Sequence, residues 1–155
     1  MKNMTINNVT KERTCGECTR CCEGWLKANI KGHKIYPGHP CHFLGKNCTI
    51  YVGRPASPCK VYNCAWLTNQ QLDFPEWMRP DLSNVIVTEK LREGITYLEV
   101  KETGREISAV VLNWLVQEVL RLQKNLLYSL SGQFYKIGSV EFHEKSQHWG
   151  YNGQI

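Results

Sequence analysis

Cysteine is missing from the last 91 residues of this 155-residue chain. Neither a disulfide framework nor a thiolate metal site can be built from that half alone. No apolar run approaches the roughly 20 residues a membrane-spanning helix needs. The opening stretch, MKNMTINNVTKERT, has no apolar core and no small-residue cleavage site, so no secretory signal is read there and a cytoplasmic protein with reduced thiols is expected. No glycine-rich loop follows a strand to cradle a phosphate, and the later half carries no nucleophile–base pattern. No internal repeat or low-complexity tract is present.

What the chain does have is sharply divided. All eight cysteines (Cys15, Cys18, Cys21, Cys22, Cys41, Cys48, Cys59 and Cys64) lie in the first 64 residues. That stretch holds ten Lys/Arg against three Asp/Glu, whereas residues 65–155 hold nine against eleven. The charge is therefore +7 before the divide and −2 after it, within a net +5. Hydrophobic residues make up 42% and charged residues 21%, a globular composition. Three segments follow: a flexible lead-in at 1–13, a cysteine-rich metal-binding module at 14–66, and a small α+β unit at 67–155 packed on it.

The module is rich in proline and glycine and shows little hydrophobic periodicity. With so little apolar area to bury, it needs something other than a core to tie it together. Residues 68–82 read as a connecting segment anchored by Phe74 and Trp77. Runs 84–90 and 95–101, rich in β-branched and aromatic residues with Gly94 between them, predict a hairpin. Leu112, Leu115, Val116, Val119, Leu122 and Leu126 recur at helical spacing and predict a helix from about Ser108 to Lys124, with Arg121 and Lys124 at its negative end. Residues 133–144 read as one more strand, bent at Gly138, and the end of the chain carries no assignment. The expected fold class is α+β: an irregular, metal-stapled module followed by a two- or three-stranded antiparallel sheet on one amphipathic helix.

The chemistry is concentrated in Cys15-Gly-Glu-Cys18-Thr-Arg-Cys21-Cys22. Two intervening residues let both thiolates of a pair turn onto one metal, a spacing shared by zinc sites and iron–sulfur loops. A third cysteine at the same interval favours iron–sulfur ligation, completed by a distant fourth. Neighbouring side chains diverge, so Cys21 and Cys22 do not easily join Cys15 and Cys18 on one tetrahedral ion. One of them serves a second site or none. Cys41, Cys48, Cys59 and Cys64 complete the eight, enough for two four-thiolate sites or for one cluster with spare thiols, and spacing does not choose. His42, beside Cys41, is a further candidate ligand; His33 and His39 lie nearby. Four disulfides, eight ordinary reduced thiols, or a purely structural metal are the competing explanations.

The run Cys15–Cys22, then His39-Pro-Cys41-His-Phe-Leu, then Cys48-Thr-Ile-Tyr51-Val-Gly-Arg54-Pro55 up to Cys59, resembles the CxxCxxCC family of zinc- or iron-chelating proteins. Flagellin lysine N-methylases contain a similar cysteine module. The resemblance covers about a third of the chain, residues 14–66. It implies a metal-chelating module, with iron–sulfur binding plausible by analogy, and does not extend to methyl transfer. It also singles out Tyr51 and Arg54, which could cover the metal and hydrogen-bond its sulfurs, or equally could pack and form a local salt bridge.

The expected function is metal binding, an iron–sulfur cluster or zinc with iron slightly preferred, in a metal- or electron-handling or accessory factor with a possible protein redox partner. Two alternatives stand beside it. One is an iron–sulfur-dependent enzyme. The other, less favoured, is a zinc-stabilised nucleic-acid-binding module, because Trp25, Tyr36, Tyr51, Tyr62 and Trp66 interleave with Lys27, Lys31, Lys34, Arg54 and Lys60. No membrane partner is expected.

Overall fold

The computed structural model describes residues 13–150. The expected lead-in therefore lies outside the described residues except for Arg13. That residue is anchored: its guanidinium donates to the carbonyl oxygens of Trp66, at 2.6 Å, and Phe74, and lies 4.9 Å from the centre of the Trp66 ring.

The cysteine-rich region contains a hairpin the sequence did not predict. Strands β1 (Ala28–Ile30) and β2 (His33–Ile35) form a small hairpin. Two short helices follow, α1 (Ala65–Thr68) and α2 (Pro80–Ser83). The expected hairpin is present as β3 (Val85–Arg92) and β4 (Ile95–Glu102), paired antiparallel from Val85↔Glu102 to Arg92↔Ile95. Its turn residues Glu93 and Gly94 both have positive φ, the backbone twist that matches a two-residue hairpin.

The expected helix is α3 (Ala109–Arg121). The Ser108 hydroxyl caps it by accepting from the Val111 N–H at 3.2 Å. Val111, Leu115 and Val119, four residues apart, are its buried face. The helix ends before Lys124 because Gln123 takes a left-handed conformation at φ 53°.

Three expectations for the later half need correction. Leu126 continues the helical spacing only by coincidence: it opens strand β5 (Leu126–Leu130). The sheet has four strands in the order β3-β4-β5-β6, with β6 spanning Gln133–Ile137, and it is not wholly antiparallel. β4 and β5 run parallel, which requires a crossover, and α3 supplies it. Residues 133–144 are not one strand either. The chain leaves β6 at Ile137 and re-forms as helix α4 (Val140–Lys145), capped by the Ser139 hydroxyl accepting from Phe142 N–H at 3.1 Å.

The sheet is covered on both faces. On one, Val85, Val87, Leu98, Val100 and Leu126 pack with Leu115 and Val119 of α3 and with Trp66, Leu72, Phe74 and Met78. Phe74 is the anchor expected of it, at 1% exposed; Trp77 is 41% exposed and meets the Trp114 ring edge-on. On the other face Ile95, Tyr97 and Leu127 pack with Phe142 and Trp149, so the unassigned end of the chain contributes Trp149 to a second core. The cysteine region has a third, much smaller core of Ile30, Ile35 and Cys41. No helix among the described residues is long and apolar enough to cross a membrane.

Candidate metal centre

All eight cysteines are free thiols, exposed at Cys15, buried at Cys41 and Cys64, and half-buried at the rest. They do not form one pool. The Cys18 N–H donates to the Cys15 carbonyl at 2.8 Å, closing the first C-x2-C turn. Cys21 then packs against the main core, which also holds Cys64. Burial pushes the Cys21 thiol up, and negative charge on Cys64 and Cys18 pushes it further, ahead of its chain neighbour Cys22. Cys64 is pushed up to about 11 by burial; among the cysteines, Cys15 and Cys18 act on it. Cys21 and Cys64 thus share the main core, and the Cys15–Cys18 turn leads into it along the chain.

Cys22 turns the other way. Its carbonyl accepts from the Cys41 N–H at 2.8 Å, and with Cys59 it packs against the small core that contains Cys41. Leu44, whose N–H donates to the Cys41 carbonyl, bridges in strand fashion to Cys48. Burial pushes Cys22 up to about 12, followed by Cys41, Cys48 and Cys59. Cys59 is raised by burial and then by Cys41 and Cys48. Gly24 makes this approach possible: at φ 106° it lies so close to the Tyr36 carbonyl oxygen that an added Cβ would sit 2.2 Å away.

Burial pushes the Cys18 thiol up as it does Cys64, and backbone amides oppose that shift at both. The Cys18 sulfur accepts from the backbone N–H of Arg20 and of Asp81, and the Cys64 sulfur from those of Leu67 and Trp66. Such amide–sulfur bonds favour the ionised form. The Asp81 side chain also meets the Cys18 thiol, and there its negative charge opposes ionisation of the sulfur. Its carboxylate is clamped by Arg79, Nε to Oδ1 at 2.5 Å and Nη2 to Oδ2 at 2.8 Å, which holds it below the usual carboxylate range. Neither Asp81 nor Arg79 was singled out from the sequence. They lie more than 60 positions from Cys18, and only the fold brings α2 against the first cysteine turn. Arg20 fixes the same junction by donating to Asn84 Oδ1 at 3.0 Å.

Arg54 stacks on Tyr51, its guanidinium carbon 3.7 Å from the ring centre, and accounts for both residues without a salt bridge among the described residues. The Arg54 Nε is buried and has no hydrogen-bond partner. Its charge favours the Cys59 thiolate, and Cys15 and Cys48 in turn raise Arg54. His42 stacks on His33, ring centres 3.9 Å apart and planes within 5°. His39 donates through Nδ1 to the Lys34 carbonyl at 2.8 Å.

As they stand, no three His, Cys, Asp or Glu side chains among the described residues close around a point as a formed metal site does. A tetrahedral thiolate cage with metal–sulfur bonds of about 2.3 Å holds its sulfurs roughly 3.8 Å apart, so loading has to draw them inward. The donor set fits such a group: eight reduced sulfurs, amide donors aimed at two of them, and a buried, unpartnered guanidinium nitrogen beside the others. No protein-family model, curated protein or solved structure matches this chain.

Proposed function

We propose that this chain is a metal-binding protein that holds an iron–sulfur cluster or zinc through the thiolates of residues 15–64, as a metal- or electron-handling or accessory factor. The observation that carries this reading is the gathering of eight free thiols in one region, with backbone amides aimed at the Cys18 and Cys64 sulfurs. The likeness of residues 14–66 to the CxxCxxCC proteins points the same way. The iron-over-zinc preference rests on the C-x2-C-x2-C spacing.

The nucleic-acid alternative draws less support. Base stacking needs open rings; Trp66 is 5% exposed and Tyr62 hydrogen-bonds Thr88 at 2.9 Å against the main core, and the exposed Tyr36 and Tyr51 rings are already stacked on by His39 and Arg54. No feature of the fold favours a particular reaction over simple metal or electron handling.

Anaerobic purification followed by metal analysis and visible spectroscopy tests the reading. Iron with acid-labile sulfide and a brown colour supports the cluster; stoichiometric zinc in a colourless protein supports zinc. Protein that neither retains metal nor takes it up on reconstitution overturns the proposal.

A further inference from the structure

We infer that the eight cysteines form two separate four-thiolate centres, Cys15, Cys18, Cys21 and Cys64 in one, Cys22, Cys41, Cys48 and Cys59 in the other, joined back to back through the Cys21–Cys22 peptide bond. This rests on the metal-binding reading above and deepens it. The division follows from packing and backbone geometry. Cys21 and Cys64 belong to the main core and Cys15 and Cys18 share a closed turn. Cys22, Cys41 and Cys59 meet around the small core, with Cys48 brought in by its bridge to Leu44.

Adjacent residues are well suited to this. Side chains of neighbours diverge, so a Cys-Cys pair that cannot easily serve one tetrahedral ion serves two without strain. The helical turn Arg20–Glu23 holds both, and the left-handed Gly24 after it sends the chain into the β1–β2 hairpin. The order of ligands is nested: Cys64 returns past the whole second set to complete the first. The first centre therefore does not belong to a contiguous segment, and the loop from Cys22 to Cys59 closes the second centre inside the span of the first.

The two centres are tested by metal content in full-length protein purified anaerobically, comparing wild type with Cys21→Ser and Cys22→Ser. Each single variant should lose about half of the bound metal. Cys21→Ser/Cys64→Ser should lose no more than Cys21→Ser alone, and Cys21→Ser/Cys22→Ser should lose nearly all. A readout without variants protects against misfolding: alkylation of loaded wild type during stepwise chelation, mapped by mass spectrometry. Cys15, Cys18, Cys21 and Cys64 should lose protection as one group, and Cys22, Cys41, Cys48 and Cys59 as another. Protection lost by all eight together, or groups mixed across the two sets, overturns the division while leaving metal binding intact. Wild type that binds no metal overturns both.

Discussion

The two sides of the Cys21–Cys22 peptide rest on very different foundations. Cys21 and Cys64 lean on a core that includes Trp66, Phe74, Leu98, Val111, Leu115, Val119 and Leu126, and Arg20 and Asp81 tie the first turn to α2 and its neighbour Asn84. Cys22, Cys41 and Cys59 have Ile30 and Ile35 as their buried apolar companions, with Phe43, Leu44 and Ile50 only partly covered. Tyr51 and Val52, in the loop before Cys59, are exposed. The first set is built onto a scaffold that hydrophobic burial already holds. The second must supply its own organisation, and a two-stranded hairpin alone is marginal in water.

Metal removal should therefore separate the regions, and this is the largest effect expected. Structural zinc contributes on the order of 10 kcal/mol or more to modules of this kind, far beyond what Ile30 and Ile35 can offer. Limited proteolysis of chelated protein should cut first within residues 26–60, while the sheet and α3 stay protected. Apo protein that resists cleavage throughout the cysteine region would show that the metal is not its organising element.

The reverse experiment attacks the scaffold. Leu115 is fully buried in the centre of α3. Leu115→Ala should cost about 2–5 kcal/mol by lost burial and the cavity left behind, measured by denaturant unfolding of loaded protein. Because Cys64 and Trp66 share that core, the first set should also release metal to a chelator faster, with the second set little changed. Equal acceleration at both sets would remove the distinction between a supported and a self-made centre.

How much of this the sequence announced differs between the regions for physical reasons. The β3–β4 hairpin and α3 were legible because one long apolar pattern decided each, and Gly94 marked the turn between the strands. Strand β5 was hidden because Leu126 falls four residues after Leu122 and extends the helical spacing. The break lies in the left-handed Gln123, which carries no strong sequence signal. Ser131-Gly132, between two β-rich runs, was the overlooked sign of the β5–β6 turn; both residues have positive φ. In the cysteine region residue type and spacing marked the candidate ligands, and the divergence of Cys21 from Cys22 was foreseeable. Their allocation was not, because the loops between Cys22 and Cys59 have no periodicity from which to infer a path. The contact of Asp81 with Cys18 is purely tertiary.

The smallest expected effect concerns Arg54, which sharpens the comparison at the second set. Its guanidinium lies on the exposed Tyr51 ring, its Nε is buried without a partner, and its charge favours the Cys59 thiolate. A metal held by four thiolates adds net negative charge at that place, and a buried N–H donor can then bond to a sulfur. On the proposed metal-binding reading Arg54 would be a positioning residue, acting through Cys59 and its neighbours. Supporting partners of metal ligands typically contribute about 10–100-fold in metal affinity. Because Tyr51 leaves this one open to water, Arg54→Gln should fall near the lower end, about tenfold. Competition with a chelator of known affinity, followed at both sets by alkylation mapping, measures it. Arg54→Lys should recover part of the loss through its charge but not the part due to the planar fork and its stacking on Tyr51. Salt should weaken wild type toward the Arg54→Gln value if charge dominates, and leave the gap intact if the buried N–H does. An Arg54→Gln protein that holds metal at the Cys22 set as tightly as wild type would reduce the Tyr51–Arg54 stack to a surface contact.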